Sequence, residues 1–206
     1  EADAGKMRVV AEGRGATRTH HEGSEFTVDR VEAFGGYVLH IGHVSRGELC
    51  VGDTVQLHVD ATRRAKVAAN HTGTHLANFA LRSVLGDEVH QKGSLVAQDR
   101  MRFDFSHHQP VSTSELEKVE SIVRDQIRRN LTVYAQPAPL ANAREVHGLR
   151  AVFGEAYPDP VRIVSIGQPV ADLLASPASP AWREISIEFC GGTHVEGTKD
   201  IGDFAV

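Results

Sequence analysis

Two clusters of histidine and cysteine in this 206-residue sequence have the side-chain types and the spacing of metal ligands. The first is His71-Thr72-Gly73-Thr74-His75, in which the two histidines stand four positions apart. Positions i and i+4 of a helix share one face, so both imidazoles can reach a single ion. A zinc-protease site would need glutamate directly after the first histidine as its general base. Threonine stands there instead, which excludes that class of metal site.

The second cluster is Cys190-Gly191-Gly192-Thr193-His194, directly after a predicted strand. The two glycines let the backbone turn sharply and come close to a partner. Together the two clusters offer one thiolate and three imidazoles, a ligand set that suits zinc. We therefore predict a Zn²⁺ site formed by the cysteine and the three histidines of the two clusters.

The elements that must position these residues follow from periodicity and turn signals. Alternating apolar residues on both sides of Gly35-Gly36 predict a β-hairpin. Apolar residues at helical spacing over 67–85 predict a helix that carries the first cluster, with Gly86 as its C-terminal stop. A second helix is predicted to begin at a capping serine with glutamate three residues later, either Ser112 with Glu115 or Ser114 with Glu117.

These elements predict an α+β fold, since strands and helices do not alternate strictly enough for a doubly wound sheet. Residues 1–25 are predicted to be a flexible lead-in, because Gly, Arg and His occur there without an apolar period. Residues 26–65 are predicted to form a small, incomplete β-barrel-like subdomain. Residues 66–206 are predicted to form a two-layer α/β domain with a mainly antiparallel sheet, which contains both clusters.

Composition narrows the class of protein. The formal net charge of −5 argues against a dedicated nucleic-acid surface, since phosphate neutralisation needs surplus Lys and Arg. No apolar run approaches the roughly 18 residues of a membrane span. Two cysteines are too few for a disulfide framework, so we expect a cytoplasmic setting. Cys50 has no matching partner nearby, so we expect it to be a buried core thiol. The chain starts at Glu1 and stops without a terminating element, from which we expect a segment of a longer protein.

The two clusters together resemble the HxxxH…CxxxH signature of alanyl-tRNA synthetase editing domains and of free-standing alanyl-tRNA deacylases. The resemblance extends from about residue 26 to the end of the chain. Five further stretches are similar to that synthetase in the same order: Asn70–Leu76, Gln91–Val96, Arg102–Ser106, Gly148–Gly154 and Tyr157–Gly167.

The resemblance implies an enzyme that hydrolyses the ester of tRNA(Ala) wrongly charged with serine or glycine. Its partners would be the tRNA 3′ end and the remainder of a synthetase chain. The implied zinc ligands are His71, His75, Cys190 and His194. With three protein ligands the zinc could hold and acidify the attacking water, with His194 the ligand least expected to be permanent. With all four ligands bound, zinc would only shape the pocket.

The resemblance also suggests residues for catalysis and substrate binding. Thr74 and Gln91 are the candidates for recognising the serine hydroxyl. Gly191 and Gly192 could offer backbone N–H groups to an oxyanion or to the ribose. The weaker candidates for contacts to the substrate are Ser94, Thr193 and Arg102.

Three alternatives stay open at this point. A free-standing deacylase would use the same chemistry. The editing domain of threonyl-tRNA synthetase has similar histidine and cysteine spacing, but it differs in the turn after the cysteine and lacks a counterpart of 148–154. A zinc-stabilised module that only docks tRNA would need no catalysis, although the net charge speaks against docking as its main role.

Overall fold

The fold is described from a computed structural model, for residues 3–11, 22–152 and 155–206. The chain divides into two compact units, Glu1–Ala65 and Lys66–Val206. The predicted lead-in lies partly outside the described residues, at 1–2 and 12–21, and Phe153 and Gly154 of the stretch that resembles the synthetase also lie outside them.

Unit 1 contains a four-stranded antiparallel sheet in the order β3-β2-β1-β4. Its strands are β1 (Gly5–Ala11), β2 (Glu25–Phe34), β3 (Tyr37–Arg46) and β4 (Thr54–Val59). The predicted hairpin is confirmed: Gly35 and Gly36 both have positive φ, at 57° and 82°, as a two-residue turn of type I′ requires. Within the described residues this sheet is open and does not close into a barrel.

The predicted flexible lead-in is wrong for residues 5–11. They form β1, which pairs with β2 on one side and with β4 on the other. Lys6 and Arg8 alternate with the partly buried Met7 and the buried Val9, and this short alternation is hidden in a stretch rich in charge and glycine. Cys50 is exposed next to a turn, so the expectation of a core thiol there is also wrong.

Unit 2 combines helices with two antiparallel sheets, which confirms the α+β class. Its helices are α1 (Ala61–Leu85, which begins in unit 1), α2 (Thr113–Arg128), α3 (Leu140–Arg144) and α4 (Val170–Ala175), with short 3₁₀ helices at Pro180–Glu184 and Thr198–Ile201. Its strands are β5 (Gln91–Val96), β6 (Met101–Phe105), β7 (Val133–Ala138), β8 (Val161–Ile166) and β9 (Ile187–Phe189). β5 pairs with β6, and the other sheet has the order β7-β8-β9.

Local signals set the ends of the two long helices. Gly86 has φ of +97° and donates its N–H to the Arg82 carbonyl at 2.9 Å, which ends α1 where the sequence predicts. Of the two predicted caps for α2, the structure forms the capping box of Ser112 with Glu115. Both ends therefore follow from residues within one turn.

Two clusters of buried apolar side chains hold unit 2 together. One contains Leu76 from α1, Val123 from α2 and Ile166 from β8. The other surrounds β8 and β9, with Ile163 and Ile187 fully buried. The first cluster packs α1 against β8, and β9, which pairs with β8, leads into the second cluster of candidate metal ligands. No helix in the described part of the chain is long and apolar enough to cross a membrane.

Candidate functional site

The two predicted clusters meet in unit 2. Helix α1 places His71 and His75 one turn apart, while Cys190 directly follows β9 and His194 follows the glycine turn. One ligand atom from each of the four residues lies within 4.8 Å of the others. Cys190 Sγ is 3.4 Å from both His71 Nε2 and His194 Nε2. Ligands about 2.0–2.3 Å from one tetrahedral ion would stand about 3.5 Å apart, so these four residues can hold a metal ion.

Burial keeps the three imidazoles in the neutral form that a metal needs. It lowers the pKa of His194 to about 3 and also lowers the pKa of His71. The pKa of His75 is lowered well below its usual range, first by burial and then by the nearby histidines. Burial raises the pKa of the Cys190 thiol, while the Gly192 N–H at 3.4 Å from Sγ opposes that shift. A bound cation would supply the charge that favours the thiolate.

A buried carboxylate lies behind His75. Glu188 Oε2 is 3.7 Å from His75 Nε2, and Glu188 Oε1 accepts a hydrogen bond from Asn78 Nδ2 at 2.8 Å. Burial raises the pKa of Glu188 to about 7. On the other side of the ring, His75 Nδ1 is buried and has no hydrogen-bond partner within the described structure. A buried ring nitrogen without a hydrogen-bond partner, next to three other candidate ligands, is expected of a histidine whose partner is a metal ion.

Thr72 sets the tautomer of His194. Its Oγ1 donates to the Ala68 carbonyl at 3.0 Å and accepts the Val195 N–H at 3.2 Å. A hydroxyl has one proton and two lone pairs, so the remaining contact, at 3.1 Å to His194 Nδ1, requires the ring to donate. With the proton on Nδ1, Nε2 keeps its lone pair and faces Cys190 Sγ.

The turn after Cys190 is held from both sides. Arg162 Nη1 donates to the Cys190 carbonyl at 3.0 Å and to the Gly192 carbonyl at 2.6 Å. A Cβ built on Gly192 would lie 2.6 Å from His71 Nδ1 and closer still to Cε1. Position 192 therefore needs glycine because its backbone lies against the His71 ring.

A cleft of about 750 Å³ adjoins three of these four residues. His71, His75 and Cys190 contribute to its wall, and three of the predicted substrate residues line it as well: Thr74, Gln91 and Ser94. Its further wall comes from α3 and from residues 149–152, so a small molecule or the end of a chain can enter beside the metal ligands.

Comparison with known proteins agrees with this geometry. Residues 161–206 match the family described as "Threonyl and Alanyl tRNA synthetase second additional domain". The chain is 53% identical over 206 residues, all of its length, to "Alanine--tRNA ligase" from Candida albicans. It is 51% identical over 185 residues, 90% of its length, to the mitochondrial "Alanine--tRNA ligase" of Saccharomyces cerevisiae. A cytoplasmic relative from Dictyostelium discoideum is 51% identical over 183 residues, 88% of this chain.

The chain belongs to the alanyl-tRNA synthetase family. It spans about a fifth of the length of these relatives, 20% of the first and 19% of the other two. The matched domain begins at β8 and includes Cys190 and His194, whereas His71 and His75 precede it. The candidate metal-ligand set is therefore completed by α1.

The other predicted site residues lie in different environments. Thr74 Oγ1 donates to the Asn70 carbonyl at 2.9 Å, and Gln91 Nε2 donates to Ser94 Oγ at 3.2 Å. Arg102 is exposed and pairs with Asp104 at 3.0 Å.

The glycine turn is engaged with the metal ligands. Thr193 is exposed, although its backbone hydrogen-bonds His71. The Gly192 N–H points to Cys190 Sγ, while Gly191 is exposed with no atom within 4 Å of an added Cβ. In this structure the Gly192 N–H thus supports the thiol.

Four residues that support the ligands were missed from the sequence: Thr72, Asn78, Arg162 and Glu188. Two of them had a signal. Glu188 stands two positions before Cys190 at the end of a strand, and Asn78 stands one helical turn after His75, so each shares a face with a ligand. Arg162 and Thr72 act across the fold on residues far along the chain, and no local pattern indicates those contacts.

Replacing Thr72 with valine is expected to lower zinc affinity about 10- to 100-fold, because His194 loses the partner that fixes its tautomer. Valine keeps the shape of the buried side chain but cannot accept the His194 and Val195 donors. Thr72→Ser, which keeps the hydroxyl, is the matched control and should stay within about threefold of wild type. Competition with a chromophoric zinc chelator measures the affinity. An unchanged affinity in a folded Thr72→Val protein would show that His194 needs no such partner.

Proposed function

We propose that this chain is the editing region of an alanyl-tRNA synthetase, which hydrolyses the ester of tRNA(Ala) carrying serine or glycine. The observation that carries the proposal is the convergence of His71, His75, Cys190 and His194 beside a cleft lined by Thr74 and Gln91. Family membership supports a role on tRNA. The relatives named above are ligases, which favours a part of a synthetase over a free-standing deacylase.

The metal we propose is Zn²⁺. One thiolate with three imidazoles is a typical zinc ligand set, whereas calcium and magnesium prefer oxygen. When bound, zinc supplies Lewis-acid polarisation and can activate water if one coordination position stays open. The chain's own part is to hold the ligands in place, through Thr72, which accepts from His194 Nδ1, and through Glu188, whose carboxyl oxygen lies 3.7 Å from His75 Nε2.

Selectivity for serine can arise from acceptors in the cleft. The Thr74 hydroxyl has two acceptors for its one proton, the Asn70 carbonyl at 2.9 Å and Met101 Sδ at 3.6 Å, so Oγ1 is available to a ligand as an acceptor. Gln91 donates its amide toward Ser94, so its carbonyl oxygen is the group available as a second acceptor. A serine hydroxyl can donate to either oxygen, and alanine has no such donor. One hydrogen bond of this kind is worth about 1–2 kcal/mol, enough to spare alanine by about tenfold or more.

The proposal also includes contacts from Ser94, Thr193 and Arg102 to the substrate. The backbone N–H groups of Gly191 and Gly192 are the proposed donors to the oxyanion or to the ribose. The Gly192 N–H would have to be shared with Cys190 Sγ, which makes the exposed Gly191 the better placed of the two. Arg102 would act on the RNA backbone by leaving the exposed pair with Asp104, which costs little.

The need for such a site follows from the limits of binding. An alanine-activating pocket distinguishes glycine by one methyl group and serine by one hydroxyl, and neither difference supplies more than about 1–3 kcal/mol. A second site that hydrolyses the errors provides the missing discrimination. We propose that the whole protein is an aminoacyl-tRNA ligase and that its remaining length provides most of the tRNA affinity, since this chain has a net charge of −5.

We place the protein in the cytoplasm. The Dictyostelium relative is named cytoplasmic and the Saccharomyces relative mitochondrial, so the names of the relatives alone do not choose between the compartments. The thiol in the proposed metal site needs a reducing setting, which the cytoplasm provides.

The test is hydrolysis of Ser-tRNA(Ala) beside Ala-tRNA(Ala) by the purified chain. We expect the serine ester to be cleaved at least about tenfold faster and the activity to be lost with 1,10-phenanthroline. The matched control is 1,7-phenanthroline, which does not chelate. Equal activity in protein shown to contain no metal would contradict the zinc assignment. Failure to cleave either ester, both alone and within the full-length protein, would contradict the editing function.

A further inference from the structure

A second pocket, of about 290 Å³, adjoins the cleft beside the metal ligands. Arg82, Arg150 and Glu188 line both cavities, so the two lie next to each other at the C-terminal end of α1. Arg183 also lines the second pocket, which brings three arginines to one small cavity. None of these arginines contacts the four metal ligands in a hydrogen bond or ion pair among the described residues.

Arg82 is the most unusual of the three. Its side chain is only 7% exposed, yet Nε and Nη1 have no hydrogen-bond partner within the described structure. Buried guanidinium groups are normally fully paired, because an unmet charged donor is costly. Only Nη2 is engaged, with the Asp87 carboxylate. Nε and Nη1 of Arg82 are thus buried donors that no described residue satisfies.

Asp87 places a carboxylate between two of the three arginines. Its carboxylate contacts Arg82 Nη2 and lies 3.8 Å from Arg150 Nη2, so one acidic group bridges two arginines. The Asp87 side chain is 75% exposed and lies in the turn that follows Gly86. An exposed carboxylate of this kind can leave its partners at little cost.

The other acidic groups of the pocket are less able to occupy the position of Asp87 between Arg82 and Arg150. Glu188 is buried and directed to Asn78 and His75. Glu184 is exposed at the pocket rim beside Arg183. An incoming anion would therefore displace Asp87 and meet Arg82 and Arg150 together.

We propose that Arg82 and Arg150 form a phosphate subsite that holds the phosphodiester preceding the terminal nucleoside of the RNA, and that Asp87 occupies this subsite when no RNA is bound. Planar guanidinium groups bind phosphate oxygens with two parallel N–H bonds, which suits a pair of arginines better than a single lysine. The inference rests on the proposed function, because it orients the RNA end so that its ester faces the metal ligands.

The first test compares two esters that differ only in phosphate. One is Ser-tRNA(Ala), and the other is 3′-O-seryl-adenosine, which has no phosphodiester. Arg150→Ala should raise KM for Ser-tRNA(Ala) about tenfold with kcat within about twofold, and should leave both constants for seryl-adenosine unchanged. Asp87→Asn should lower KM for the RNA substrate only. The matched control is Arg128→Ala, an exposed arginine on α2 whose partner is Asp125 at 3.4 Å.

The outcomes separate the subsite from a structural ion pair. Equal losses on both esters, or no change in KM for the RNA substrate, would overturn the phosphate subsite while leaving the editing function intact. Arg150→Ala is preferred over Arg82→Ala because Arg150 is partly exposed and its loss leaves no buried cavity.

A binding measurement keeps the subsite testable even if neither ester is cleaved. The trinucleotide CpCpA should bind wild type about tenfold more tightly than the same trinucleotide with neutral methylphosphonate linkages, and Arg150→Ala should remove that difference. Equal binding of the two trinucleotides would overturn the subsite. Inorganic phosphate at concentrations near those of the trinucleotide should not displace CpCpA from the protein. Effective displacement would overturn the assignment of the subsite to RNA and would indicate a site for a free anion.

Discussion

Cys190→Ala is expected to remove the bound metal and with it the hydrolysis of Ser-tRNA(Ala). Cys190 Sγ lies 3.4 Å from nitrogens of two of the three histidines and is the only anionic donor of the four. Loss of a partner that merely orients a ligand costs about 10- to 100-fold in metal affinity. Loss of the thiolate itself should therefore cost at least about a hundredfold, and the zinc content of purified protein should fall from one per chain to nearly none.

The matched control is Cys50→Ala, because Cys50 is the other cysteine of the chain and lies exposed in unit 1. Zinc content by mass spectrometry under native conditions and initial rates of deacylation should both match wild type in this control. A Cys190→Ala protein that is folded, metal-free and fully active would rule out a metal-dependent mechanism. If it keeps its metal, the three histidines alone are sufficient to bind it.

Gly192→Ala is expected to be nearly as damaging, although it removes no ligand. The added methyl group would meet the His71 ring, 2.6 Å from Nδ1, and the Arg162 hydrogen bond to the Gly192 carbonyl keeps the turn from moving away. The His71 ring must therefore rotate out of its position. We expect zinc affinity to fall about 10- to 100-fold, as for other losses of ligand orientation, with a parallel fall in deacylation.

Gly191→Ala provides the matched control one residue earlier. A Cβ at position 191 has no atom within 4 Å, so this variant adds the same methyl group to the same turn without touching a ligand. Zinc competition assays on both variants should separate them by at least about tenfold. Equal affinities in the two would mean that the turn relaxes freely and that His71 is not held against it.

The four residues that converge at the candidate metal site could be predicted from the sequence alone. His71 and His75 are four residues apart in a strongly helical stretch, so their shared face follows from local geometry. Cys190 and His194 flank two glycines, and a sharp turn follows from those residue types. The capping box at Ser112 and the stop at Gly86 are equally local, and the structure has both where they are predicted.

The β-structure of unit 1 was less predictable. Strand β1 lies between β2 and β4, and its place depends on pairing with residues about 20 to 50 positions away. Its own pattern, in which Lys6 and Arg8 alternate with the more buried Met7 and Val9, is too short to predict a strand. Whether four strands close into a barrel or stay open also depends on pairing between distant strands, which periodicity does not encode.

Only the tertiary structure shows how the ligands are held. Thr72 looked like a reason to reject a protease site, but its hydroxyl fixes the tautomer of His194, 122 residues further along. Arg162 holds the glycine turn from β8, and Arg82 lines both the cleft and the pocket next to it. Residue types and short spacings determine which side chains can bind a metal. The proton positions, the backbone clamp and the neighbouring anion pocket depend on contacts between distant segments, which only the folded chain brings together.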